Sequence, residues 1–251
     1  MKLVSIAIIA FVANEVTLAH GRLLGTRNGL FGLFGRKKHH NNDNDNGSTT
    51  NNQKGIRQGD CVRDGTCGST AVTSNVPLSD EEKNEVIFMR EEEKMARDVY
   101  TFLYGCWGNI DPSAIVFDRI SQSEQQHMDR MYDMIQLYDL DDPVESDSQG
   151  IFNNTELGKM YEELTKDCGN NSLVEAFKIG ALIEESDIFD LRSAINGTDQ
   201  AELVRVYGNL LKASYNHYNA FVRQIEAHQG TYEPTVLLEE DSDAILGNTG
   251  K

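Results

Sequence analysis

Four long segments of this chain repeat apolar residues at the three-four spacing of a helix, and each apolar seam is broken near its middle by polar side chains. The second segment, about Ser113 to Tyr138, shows this most clearly. Phe117, Ile120, Glu124, His127, Met131, Met134 and Tyr138 keep strict alternation, with the carboxylate and the imidazole at the centre. The first, from Ser79 to Gly105, gives Val86, Met89, Glu93, Ala96, Tyr100 and Leu103. The third, about Ser172 to Ile195, gives Leu173, Phe177, Gly180, Glu184, Asp187 and Leu191. The fourth, about Asp199 to His228, gives Leu203, Tyr207, Leu210, Ser214, His217 and Phe221. A helix that buries such a seam buries its polar groups too. Left dry and unpaired, each carboxylate or imidazolium would cost several kcal/mol.

The boundaries carry their own signals. Ser79 with Glu82 three residues on is a capping box, Pro112 precedes the second segment, and Asn196-Gly197 ends the third. Between residues 139 and 170 runs a long connection with one short helix, "TELGKMYEELTK". No segment alternates with period two, so the fold class expected is all-α. Two long helices, a crossover and two more have the connectivity of a ferritin-like four-helix bundle, with one long crossover containing a short helix.

A pair of divalent cations would remove the burial penalty. Glu93, Glu124, His127, Glu184, Asp187 and His217 are the candidate ligands. The i, i+3 spacing of Glu124 and His127 turns both to one face, within reach of a common ion, as in the Glu-x-x-His turns of di-iron bundles. Carboxylate-rich, imidazole-poor and thiolate-free, the set suits iron, two ions per chain, or manganese.

The remainder of the 251 residues sets the context. Met1 to Ala13 has the lysine and apolar run of a signal peptide, with a cut expected after Ala19. That predicts a secreted or secretory-pathway protein, although such a peptide can also be the first half of a bipartite plastid address. Residues 20–76 are Gly-rich, basic and then Asn-rich, a low-complexity segment expected to be disordered. Within it, His39 and His40 are read as inert, and Cys61 and Cys67 as closing a small loop. Residues 77–230 form the expected bundle domain, and residues 231–251 an acidic mobile tail. Asn-x-Ser/Thr triplets at Asn46, Asn153, Asn170 and Asn196 would accept glycans on that route. A formal charge of −17 disfavours nucleic acid and anionic membranes, and no segment approaches the roughly 20 apolar residues of a membrane span. Metal ions are the expected partners, with room left for a homodimer.

"REEEKMARDVY" resembles the first-helix motif of the rubrerythrin branch of the ferritin-like superfamily. The span from about Leu78 to Ala227, with "SEQQHMDRM", "VEAFKIGALIEESDIFDL" and "NLLKASYNHYNAFV", is similar to an uncharacterised ferritin-like domain family of bacteria and archaea. The resemblance implies Glu93 as terminal carboxylate, Glu124 as bridge and His127 as terminal imidazole. It implies Glu184 and Asp187 as the acidic turn of the third helix and His217 as the histidine of the fourth. Ser214 departs from it, standing where better-known di-iron proteins carry a second bridging Glu. With no rubredoxin-like set of four cysteines, the implied activity is a di-iron oxidoreductase of ferroxidase or peroxidase type without that electron donor. The other reading is a non-catalytic secreted metal-binding or matrix protein.

Around these ligands, Glu91, Glu92 and Glu185 read as solvated charges, with Glu92 able to replace Glu93 if the first helix rotates. Tyr100 reads either as core packing or as a hydrogen-bond donor to a ligand carboxylate. In the bundle topology the second and third helices run parallel, which brings Cys106 and Cys168 to one end and predicts a disulfide between them.

Overall fold

A computed structural model of the protein describes residues 77–247. The expected signal peptide, the 20–76 segment, His39, His40, Asn46, Cys61 and Cys67 all lie outside the described residues. Among those described there is no strand, and no helix is long and apolar enough to cross a membrane.

Helix α1 (Asp80–Trp107) opens on the capping box: Glu82 N donates to Ser79 Oγ at 3.1 Å and Ser79 N to Glu82 Oε2 at 2.8 Å. It runs past Gly105, which stays helical, and is capped at Gly108. A 3-10 turn at Pro112–Ala114, capped by the Asp111 side chain, leads into α2 (Ile115–Leu137). The connection holds α3 (Thr155–Thr165); then follow α4 (Leu173–Asn196), with Ser172 as its cap, and α5 (Ala201–Ala227).

The four long helices pack as two antiparallel hairpins. Arg90 meets the Met128 carbonyl and Tyr100 lies near Phe117, so α2 descends as α1 rises. Asp187 meets Ser214 and Gly180 lies under Phe221, so α4 and α5 do the same. The hairpins join through α1 on α4 and α2 on α5, which leaves α2 and α4 parallel across the crossover. A Cβ on Gly180 would lie 2.6 Å from the Phe221 ring, so only glycine allows this approach of α4 to α5.

The charged outer face of α1 holds the crossover. Arg90 bonds Asp142, Glu91 Oε1 accepts from the backbone N–H groups of Asn153 and Asn154 at the start of α3, and Arg97 bonds Asp147. Lys94 is fully buried, 2.6 Å from Asp98, 2.9 Å from the Ser148 carbonyl and 4.5 Å above the Phe152 ring. Arg90, Glu91, Lys94, Arg97 and Asp98 thus hold the chain against α1 on behalf of the crossover.

Before α4 the chain makes a left-handed turn. Asp167, Cys168, Gly169, Asn170 and Asn171 have φ of 50°, 56°, 73°, 58° and 62°, a conformation that costs about 1–2 kcal/mol per ordinary L-residue and less for Asn and Asp. The Cys106–Cys168 disulfide crosses here, and the Trp107 indole N–H donates to the Cys168 carbonyl at 2.8 Å. The pairing expected from topology is therefore present.

The segment after Gly230, expected to be a mobile tail, lies against the bundle as far as it is described. Glu185 on α4 accepts from the Tyr232 hydroxyl and the Thr235 N–H, and α6 (Glu239–Gly247) packs Ile245 inward. Tyr218 and Asn219 of α5 bond Ser242 and the Ile245 carbonyl. Polar groups of the bundle supply much of this anchoring, which an acidic stretch with few apolar residues does not announce.

Candidate metal centre

The apolar core comes in two pieces. One, toward the disulfide, contains Val99, Leu103, Phe117, Phe177 and Phe221; the other contains Val86, Met89, Met131, Leu191 and Leu210. Between them lie the six residues marked by the broken seams, each at most 9% exposed.

Glu124 is the hub. Its Oε2 lies 2.6 Å from His127 Nδ1 and its Oε1 lies 2.8 Å from His217 Nδ1. Glu93 approaches His127 Nδ1 at 3.2 Å and Glu184 approaches His217 Nδ1 at 3.5 Å. The result is two groups that share Glu124: Glu93, Glu124 and His127, and Glu124, Glu184 and His217, with the donor atoms of each group within 4.8 Å of one another. Either group could hold a metal ion.

Asp187 falls outside both groups. Its Oδ2 accepts from the Ser214 hydroxyl, which replaces the carboxylate expected on the fourth helix, and its other oxygen makes no hydrogen bond. It borders a small cleft between α1 and α4 together with Glu93, Glu124 and Glu184. Glu92 lines the same cleft but belongs to neither group, so Glu93 is the α1 carboxylate facing the histidines.

Burial and mutual charge dominate the titration of these groups. Burial pushes Glu93 up to about 7 against the opposing pull of His127. Burial also raises Glu184 and, joined by the charges of Glu93 and Glu184, raises Asp187 well above the usual range. Although burial alone would raise it, Glu124 is held well below the usual range by His127 and His217. For the rings burial favours the neutral form, yet Glu124 and Glu93 push His127 up to about 12, and Glu124 and Glu184 push His217 up to about 10.

Hydrogen bonding leaves a residue of unmet need. Glu93 Oε1, Asp187 Oδ1, Glu124 Oε1 and His217 Nδ1 are buried with no aligned hydrogen bond, although the last two are only 2.8 Å apart. Such orphaned buried donors and acceptors are rare in a finished core. These four belong to the candidate site, whereas the Tyr138 and Tyr207 hydroxyls and Glu185 Oε1, also without an aligned bond, belong to residues outside it.

Residues 82–249 match the model of a family described as an uncharacterized protein domain (DUF2202). The chain belongs to that DUF2202 family. The uncharacterized protein MJ0754 of Methanocaldococcus jannaschii is 42% identical over 173 residues, spanning 69% of this chain and 90% of its own. A crystal structure of hypothetical protein MJ0754 from Methanococcus jannaschii is 40% identical, covers 70% of this chain and 97% of that one, and superposes with a TM-score of 0.66. Neither name states an activity. The DUF2202 match runs beyond Gly230 into the segment that packs on Glu185.

Three carboxylates and one tyrosine bear on the sequence reading. Glu91, Glu92 and Glu185, read as solvated, are all buried, at 3%, 7% and 0% exposure: Glu91 and Glu185 cap backbone N–H groups of the crossover and the C-terminal segment, and Glu92 lines the cleft. Of the two readings of Tyr100, the hydrogen bond holds: its hydroxyl donates to Glu184 Oε1 at 2.6 Å. The offset of seven between Glu93 and Tyr100 is the only sequence signal for it.

Proposed function

We propose that this is a secreted ferritin-like protein with a dinuclear iron centre that oxidises Fe(II) or reduces dioxygen or peroxide. The carrying observation is the Glu124 hub with its two flanking groups, contributed by four helices whose connectivity matches a ferritin-like bundle with one crossover. Charge supports two divalent ions: four carboxylates against two M²⁺ leave a neutral site once both imidazoles are neutral. The Cys106–Cys168 disulfide supports an oxidising compartment.

In this reading Glu93 with His127 would hold one ion, Glu184 with His217 would hold the other, and Glu124, which belongs to both groups, would serve both. Tyr100 fixes one oxygen of Glu184 and thereby the rotamer of that ligand. Ser214 holds one oxygen of Asp187 and leaves the other toward the cleft as a further carboxylate for the pair. When bound, two iron ions would supply the redox chemistry. The chain's part is to hold anionic ligands in a dry core that the two apolar clusters seal at either end.

A non-catalytic secreted metal-binding or matrix protein is the second reading. It is favoured by the cysteines: two of the four are joined to each other, too few remaining for a rubredoxin-like donor. Anaerobic Fe(II) loading of the full chain, metal counting and stopped-flow mixing with oxygen or peroxide separates the two. Two ions per chain and repeated fast oxidation are expected; one slow stoichiometric oxidation would leave only the binding role, and no bound iron would end both.

A further inference from the structure

Away from the candidate centre, the bundle closes on two phenols whose hydroxyls have no partner. Tyr207 of α5 is 1% exposed and its hydroxyl makes no hydrogen bond; the hydroxyl of Tyr138, the residue that caps α2, is buried and unbonded as well. Tyr207 belongs to the apolar cluster of Val86, Met89, Leu203 and Leu210, and Tyr138 packs against it. Phenylalanine would fill the same space without stranding a polar atom. Two such atoms in one cluster call for something that supplies the missing contact.

Two carboxylates share their level in the bundle. Glu82 and Glu85 stand three residues apart at the start of α1, so their side chains are neighbours on its surface. Tyr207 lies ten residues before His217, Tyr138 eleven after His127, and Glu85 and Glu82 eight and eleven before Glu93. At about 1.5 Å per residue, all four lie about 12–17 Å from the centre, toward the end where α1 and α5 begin and α2 stops. Glu82 accepts from the Ser79 N–H and the Thr198 hydroxyl, neutral donors that leave its charge in place. Burial, and after it Glu85, Tyr138 and Glu82, hold the Tyr207 phenol well above its ordinary range, and burial with Glu202 and Glu82 raises Tyr138. The carboxylates are thus close enough to act on both phenols.

We propose that Tyr207 and Tyr138, with Glu85 and Glu82, form a cation site separate from the candidate centre, and that it takes a trivalent, strongly Lewis-acidic ion such as Fe(III). Each phenol that joins gives its O–H proton to solvent as the metal–oxygen bond forms, with no change of oxidation state. A divalent ion such as Ca(II) or Mg(II) polarises a phenol too weakly to displace that proton, whereas a trivalent ion inverts the local electrostatics. Phenolate and carboxylate oxygens are hard donors suited to it. None of the six residues of the centre takes part, so the site stands or falls apart from the dinuclear reading.

Fe(III), offered to the metal-free full chain as its citrate complex, should give a visible phenolate-to-iron charge-transfer band. Tyr207→Phe should abolish the band, Tyr138→Phe should weaken it, and Glu85→Gln should lower the apparent Fe(III) affinity about tenfold or more. Tyr100→Phe, which removes the phenol beside the candidate centre, should leave the band unchanged. Neither hydroxyl at the bundle end has a bond to lose, so both phenylalanine variants should unfold at the wild-type denaturant concentration, which separates loss of the band from loss of fold. No band in wild type, a band that survives Tyr207→Phe, or one that disappears in Tyr100→Phe overturns the proposal. Should Tyr207→Phe fail to fold, Glu85→Gln decides: unchanged Fe(III) affinity is the overturning result. Mn(II) uptake at the candidate centre should be the same in Tyr207→Phe as in wild type, and a count that falls in the variant would show that the two sites are not separate.

Discussion

Loading the site with metal should expel protons, and the number can be worked out from the structure. Without metal at pH 7, His127 and His217 are both protonated, since their neighbouring carboxylates hold them up to about 12 and about 10. Glu93, pushed up to about 7 by burial, is half protonated, and burial with the charges of Glu93 and Glu184 raises Asp187 in the same direction. Ligation needs neutral rings and ionised carboxylates. Two ions should therefore release at least about two to three protons per chain: two from the rings and about half of one from Glu93, with Asp187, shifted in the same direction, adding to the release. Calorimetric titration with Mn(II) at pH 7, repeated in buffers of different ionisation enthalpy, counts them. The Asp187→Ala variant should release fewer per ion pair formed. A release near zero would mean that the carboxylates are ionised and the rings neutral without metal, and would refute this electrostatic account.

The same groups set the pH dependence of the metal-free protein. Glu93 binds more protons folded than unfolded between its ordinary 4.5 and about 7, so its contribution to stability falls by about 2 kcal/mol from pH 5 to pH 7. The raised rings add to the loss above about pH 6.5. Chemical denaturation of the metal-free chain should show stability declining with pH, and a flat or rising profile would contradict it. Asp187→Ala should leave the fold intact and lower bound iron from about two ions toward one, while adding Ser214→Glu should restore part of the second ion by placing a carboxylate one turn before His217; unchanged metal counts would remove Asp187 from the ligands. Tyr100→Phe removes a charge-assisted hydrogen bond worth about 1.5–3 kcal/mol, so one of the two ions should bind at least tenfold more weakly. Replacing Cys106 and Cys168 by Ala opens a link across 62 residues and should cost about 4 kcal/mol by the loop-entropy relation, read from the emission of Trp107, the chain's single tryptophan.

The sequence by itself determined the helical class and the depth of the site. Each seam has one helical period, and a carboxylate or imidazole at mid-seam must be buried with its apolar neighbours, so Glu93, Glu124, His127, Glu184, Asp187 and His217 could be named before any coordinates. Helix ends were legible where a cap is local, as at Ser79 and Ser172, and less so at Gly105, where glycine is only a permissive stop. The disulfide followed from topology, because the direction of each helix settles which ends are neighbours.

Partnership across helices was left to the tertiary structure. Only packing decides that Glu124 lies between two histidines, that Asp187 turns to Ser214 instead of joining either group, and that Tyr100 reaches Glu184 rather than solvent. Glu91 and Glu185 look like surface charges in one dimension because their partners, backbone N–H groups far along the chain, carry no residue-specific signature. The same holds for the cleft at Ala96: an alanine in an apolar seam is ordinary in sequence, and it comes to line a cleft with carboxylates only when α4 is laid against α1.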